Sequence, residues 1–307
     1  MSSIMTNTAA MTALKTLQAT NSALEMTQSR ISTGLKVGDA SDNAAYWSIA
    51  TTMRSDNKAL GSVQDALGLG SAKADVAYTG INSAIDVVDE IKSKLVAARE
   101  PGVDKAKIQS EVAELQNQLT SIATSASFSG ENWLSQDSSA TGYTATKEIV
   151  GSFNRSESGA VSVGTVNVDI SATKLFDANA GASGILDTDF TTTGGAAVTV
   201  SVSTLDITAA SLDDTDIDEM ISAVDSALTS MTSAAADLGA TKGRVDMQSD
   251  FVSNLMDAID RGVGTLVDAD MTKESTRLSA LQTQQQLGTQ ALSIANSSAQ
   301  SILSLFR

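Results

Sequence analysis

The chain has 307 residues, of which 42% are hydrophobic but only 4% aromatic, and it carries a net charge of −16 with one proline, no cysteine and no histidine. That inventory excludes Cys or His nucleophiles, imidazole bases and N/S metal sites. The acidity argues against nucleic acid or an anionic membrane surface as partner. So few rings point away from the thick core of a globular enzyme and toward thin seams between helices.

The first 35 residues repeat at steps of three and four: Asn7, Ala10, Leu14, Leu17, Asn21, Leu24, Gln28, Ile31 and Leu35. This is a heptad stripe, the mark of a helix held along one line by a partner helix. Ser32-Thr33-Gly34 ends it, glycine being suited to a helix terminus. Residues 1–15 lack a basic leader followed by an apolar run, so no cleavable secretory signal is expected. Residues 37–42 form a loop, with Ser41 or Asp42 expected to cap the next helix.

The second helix is predicted over 43–99, holding heptad register from Tyr46 to Leu95, roughly 85 Å at ~1.5 Å per residue. Gly61, Gly68, Gly70 and Gly80 each cost it about 1 kcal/mol relative to alanine, which predicts close packing by neighbours. Pro101-Gly102 stops it. Asp104 caps a third helix with Ile108, Val112, Leu115, Leu119, Ile122 and Ala126 on one face, expected to fold back antiparallel on the second. Phe128-Ser-Gly-Glu-Asn-Trp-Leu134 reads as a turn with three apolar anchors.

From about 135 to 210 the period drops to two. Val161 and Val163, then Val166, Val168 and Ile170, alternate with a phase slip at Gly164-Thr165 that predicts a bulge or turn. Val198, Val200 and Val202 alternate again after Gly194-Gly195, a hairpin signal. One modest sheet is the expectation. A long heptad helix returns from Asp213–Glu219 to Leu266. The last stretch, 272–307, carries a second seam: Leu278, Leu281, Gln285, Gly288, Leu292, Ala295, Ala299, Ile302 and Phe306. Both terminal seams are diluted by Asn, Gln, Gly and Ala, so the two ends are expected to pair weakly and become firm only among further copies.

The fold class read from these patterns is mainly α: a long coiled-coil rod built from both chain ends, with a small β-rich insertion. The divisions are 1–40 and 269–307 for the terminal coiled coil, 41–135 and 212–268 for the helical rod, and 136–211 for the insertion. Leu14, Leu17, Leu24, Ile31, Leu278, Leu281, Leu292, Ile302, Leu303 and Phe306 are the expected assembly contacts, an ordinary intramolecular coiled coil being the equal alternative on the pattern alone. No catalytic, cofactor or metal residues stand out. Asp214-Thr-Asp216-Ile-Asp218 opens like a calcium loop, but Glu219 replaces its glycine and Asp225 its final glutamate; helix-dipole complementarity explains the acids better. From 156 to 241 thirteen Asp and Glu face a single cation, Lys174, which reads equally as a repelling outer surface or as a merely solvated face.

Ser29-Arg-Ile-Ser-Thr-Gly-Leu-Lys-Val37 with Asp42-Asn-Ala-Ala45 resembles the N-terminal segment of bacterial flagellins. Asp268-Ala-Asp-Met271, Gln285-Gln286-Leu287-Gly288 and Leu303-Ser-Leu-Phe-Arg307 resemble their C-terminus, and Phe128–Leu134 their Phe-Asn-Gly segment. The style is closest to the rhizobial flagellins of α-proteobacteria. The resemblance implies a homopolymer, open to co-assembly with other flagellins, exported unfolded by a type III route to the cell exterior. It implies a filament cap, junction proteins and an export chaperone as partners, and a swimming propeller as the product. It also implies terminal helices that are disordered in the monomer and innermost in the filament. Lys92-Ser93-Lys94 falls where many flagellins carry the patch read by a vertebrate Toll-like receptor; its acid and leucine are missing, so weak or absent recognition is expected. The dense Ser and Thr of 135–211 fit either O-glycosylation, as in some flagellins, or plain solvated loops. The rival functions are a hook–filament junction protein and, from another class, a secreted monomeric adhesin.

Overall fold

The computed structural model describes residues 7–179, 183–195, 197–210 and 212–305, with side chains through 298. Its helices are α1 (Thr8–Thr33), α2 (Ala44–Ala98), α3 (Lys105–Ser125), α4 (Asp214–Val267) and α5 (Met271–Leu305). Between α3 and α4 lie eight short strands: β1 (Ser127–Phe128), β2 (Glu131–Asn132), β3 (Ser135–Gln136), β4 (Thr146–Arg155), β5 (Val161–Asp169), β6 (Phe176–Asp177), β7 (Phe190–Thr191) and β8 (Thr199–Val200). The chain divides into two compact units, Met1–Lys58 with Met256–Arg307, and Ala59–Leu255. Helices α2 and α4 each contribute residues to both.

In the first unit the helix ends carry the expected chemistry. Gly34 closes α1 in a left-handed conformation with φ 73°, its N–H reaching Arg30 O. Capping of α2 departs from expectation. Asn43 Oδ1 accepts from Ala45 and Tyr46 N–H, while Asp42 turns back to accept from Gly38 N–H at 2.9 Å and Asp39 N–H at 3.3 Å. Those two donors hold the Asp42 carboxyl below the ordinary carboxylate range. Neither Ser41 nor Asp42 is the cap. Antiparallel pairing of Leu35 with Asp268 and bonds from Lys36 and Val37 N–H to Val267 O join the two stretches that link the helices. Beneath them Val37, Ala50, Val263 and Val267 form a small core, with Leu35, Met53, Ile259 and Leu266 packed against it.

In the second unit α3 runs antiparallel to α2, shown by the Lys94–Glu111 ion pair at 2.6 Å and by Ala126 lying beside Gly80. Val112, Leu119 and Ala123 are its buried side chains. Segment α4 runs antiparallel to α2 as well: Ser71 Oγ donates to Asp246 at 3.1 Å, Lys242 pairs with Asp75, and Lys92 pairs with Asp225 at 2.5 Å. The glycine expectation holds at Gly70, where a Cβ would overlap the Ile149 side chain, and at Gly80, where it would meet Leu134 Cδ1 at 2.6 Å. It fails at Gly68, where nothing lies within 4 Å.

The insertion differs from the one modest sheet expected: among the described residues β3–β6, β4–β5 and β7–β8 form three separate two-stranded sheets there, with β1–β2 a fourth just before them. The main one, β4 with β5, is an antiparallel hairpin whose register shifts between Val150 and Ser152. A bulge does fall at the level of Gly164-Thr165, where Val150 pairs with Thr165 and Ser152 with Gly164, but its extra residue is Gly151 of β4 and β5 runs on without a turn. Strand β4 itself is absent from the sequence reading because Lys147, Glu148 and Gly151 dilute its alternation. Gly194-Gly195 does connect a hairpin, β7 with β8, though it is only two residues deep on each side. Turn residues Ser129 (φ 53°) and Gly130 (φ 81°) reverse β1 into β2, and the anchors Trp133 and Leu134 are buried. Gln109 and Gln116 of α3 hold residues 202–207 by their side-chain amides, and backbone bonds such as Ser203 N–H to Leu186 O and Leu186 N–H to Leu175 O tie the loops to each other.

Candidate assembly interface

The pairing of α1 with α5 is built from small and polar contacts. Asn7 caps α1, accepting from Ala10 N–H, and donates its amide to Ala295 O at 2.9 Å. Gln285 donates to Asn21 Oδ1 at 2.8 Å. A Cβ on Gly288 would touch Leu17 Cδ1 at 3.1 Å, so the glycine sets how closely the helices approach. At the α5 start, Asp270 accepts from Thr272 and Lys273 N–H. Arg30 reaches Glu274 at 3.4 Å, and the other Glu274 oxygen is buried with no partner. That orphan weakens the pair, since a buried unpaired acceptor costs about 1–3 kcal/mol.

The phase of the α1 seam differs in part from the heptad reading. Thr20 and Thr27 are its only buried residues among those described, and they take places that the sequence reading gave to Asn21 and Gln28. Leu17, Leu24 and Ile31 are half-buried, as are Leu278, Leu281 and Leu292 on α5. Leu14 is 47% exposed on the outer side. Ile302 and Leu303 fall within α5, their side chains outside the described residues, and Phe306 lies wholly outside them. Met11, Met26, Leu287 and Ile294 are exposed by 49–68%, and sequence reasoning passed over them because they lie off the stripe. The i, i+7 spacing of Leu287 and Ile294 was the available signal. Fully ordered, this pair still leaves much of its apolar surface in water, which is the condition for burial by further copies.

Among the described residues no group of three or more Asp and Glu is placed to hold a metal ion. The Asp213–Asp218 acids serve as caps: Asp213 accepts from Thr215 and Asp216 N–H, and buried Asp216 from Gly194 and Asp213 N–H. Lys92, Lys94 and Arg99 are ion-paired to Asp225, to Glu111 and to Asp214 with Asp218; these carboxylates raise the pKa of each cation above its ordinary value.

Residues 4–139 match the bacterial flagellin N-terminal helical region, and residues 221–306 match the bacterial flagellin C-terminal helical region. The chain belongs to the bacterial flagellin family. Flagellin C of Rhizobium meliloti (strain 1021) is 55% identical over 322 aligned positions, covering all of both chains. The flagellin of Brucella melitensis biotype 1 is 49% identical over 308, again covering both completely. A crystal structure of Bacillus cereus flagellin aligns at TM-score 0.40 and 17% identity over 62% of this chain and 88% of that one. As a flagellin, the chain is a structural subunit of the bacterial flagellar filament, mainly helical and acting in motility by self-assembly.

Proposed function

We propose that α1 and α5 form the innermost layer of the filament and order fully only there. In this reading Leu17, Leu24, Ile31, Leu278, Leu281 and Leu292 close the seam within each copy. Leu14, joined by Ile302, Leu303 and Phe306, then meets neighbouring copies. Residues 41–135 and 212–268 form the surrounding rod layer, and 136–211 faces outward. The observation that carries the proposal is a terminal helix pair whose only buried α1 residues are two threonines while Met11, Leu14, Leu287 and Ile294 stand in water.

The subunit works without catalysis, is exported by a type III route without signal cleavage, and acts outside the cell. A cap, junction proteins and a chaperone serve it, and related flagellins can join the same polymer. Toll-like receptor recognition is weak or absent, because the cations of the Lys92–Arg99 stretch are engaged by the chain's own carboxylates. Deletion of residues 272–307 tests the core of this reading. The expected product keeps its α2–α3–α4 helicity as a folded monomer and fails to extend filament seeds in a sedimentation assay. Seed extension at the full-length rate would refute it.

A further inference from the structure

The unit Ala59–Leu255 carries a knob and a hollow that nothing within the chain joins. On α4, Gly243, Met247 and Phe251 follow one another at four-residue steps and so share a face. Met247 is 68% and Phe251 59% exposed, and a Cβ on Gly243 would have nothing within 4 Å. A lone exposed apolar residue is ordinary; two large ones in adjacent turns, beside a glycine the fold does not require, make a patch. Asp250 borders it and has no ion-pair partner among the described residues.

In the same unit a hollow of about 190 Å³ is lined by Ala66, Leu69, Gly70, Trp133, Ile149 and Val150, with Lys147 among its polar residues. Eleven Lys and Arg here face twenty-seven Asp and Glu, and Lys73, Lys92, Lys94, Arg99, Lys174 and Lys242 each hold a carboxylate. Lys147 makes no such ion pair among the described residues, although Lys73, Glu131 and Glu148 share the lining and its charge helps to hold the Glu131 carboxyl down. Lys147 at the rim of the hollow and Asp250 beside the knob, neither of them in an ion pair among the described residues, are opposite in sign and can meet across two copies.

We propose that the Met247–Phe251 knob of one copy seats in the hollow of the next, with Lys147 of one paired to Asp250 of the other. A cavity of about 150 Å³ admits benzene, so the hollow has room for a phenyl ring. The occupant is a second copy because an open helical polymer needs two different patches on each subunit, whereas a self-complementary patch closes into a dimer. Knob and hollow are such a pair. The proposal rests on the filament reading above and specifies a contact that reading leaves unassigned.

The chain has no cysteine, so engineered pairs report without background. Full-length K147C/D250C is grown on seeds, oxidised, then denatured and run without reductant. The expected result is a ladder of covalent multimers. Either single variant alone should give monomer, and the two singles co-assembled should stop at dimers. Separately, K147E and D250K should each slow seeded growth at least tenfold, with the K147E/D250K double restoring it. Double-cysteine filaments that yield only monomers or only dimers would overturn the contact, as would charge-reversed singles growing at the wild-type rate. Failure of the unmodified chain to extend seeds would instead overturn the filament reading on which it stands.

Discussion

Glycines inside the long helices show how one residue type carries opposite meanings. At Gly70 a side chain has no room, because Ile149 fills the space; Gly70→Ala should therefore destabilise the unit by about 1–3 kcal/mol through overpacking. At Gly243 the space is open, and Gly243→Ala should stabilise the monomer by about 0.5–1 kcal/mol through helix propensity. Urea unfolding of the two variants checks the sign of each. A second residue-scale test concerns Asp177, buried with Lys174 Nζ at 2.6 Å and Ser183 Oγ at 2.8 Å. Burial alone would raise its pKa, but Lys174, the Ser138 N–H and Ser183 outweigh this and hold the carboxyl well below its ordinary value near 3.8. A depressed acid contributes stability above its unfolded-state pKa and loses it as pH falls toward the folded-state value. Asp177→Asn leaves Lys174 buried without its counter-charge and should cost about 3 kcal/mol at pH 7. That deficit should shrink once the pH drops below about 4. Trp133 fluorescence in a Trp47→Phe background reads both.

Helices were legible wherever the apolar stripe was long, and the five observed boundaries fall close to those the heptads and caps predict. The terminal seam was legible in position but not in detail. Thr20 and Thr27 have small side chains that fit between closely approaching helices, and a hydrophobic pattern ranks them below Leu14, which the structure leaves in water. Strands of the insertion were the least legible elements. Most are only two residues long, too short for an alternation to show, and side-chain amides reaching from helices, such as Gln248 to Gly151 O and Gln116 to Val202 O, leave no periodicity to read. The knob and hollow were invisible for a related reason: exposure and unpaired charge are properties of the folded surface.

Across the whole chain, charge and assembly role are separated. Residues 1–58 and 256–307 hold nine Lys and Arg against nine Asp and Glu, so the entire −16 falls on 59–255. A neutral terminal unit can crowd against its own copies, while an acidic remainder repels other filaments at distances set by a Debye length of about 8 Å in physiological salt. Filaments should stay dispersed at pH 7 and bundle as the pH approaches the pI near 4.3, with added salt promoting bundling above that pH. Light scattering that ignored both variables would remove the charge argument. The central claim remains the coupling of terminal-helix order to assembly. Amide hydrogen exchange over residues 7–33 and 271–298, in dilute monomer and in filament, tests it most directly: rapid exchange in the monomer and strong protection in the filament are predicted, and equal, strong protection in both would contradict it.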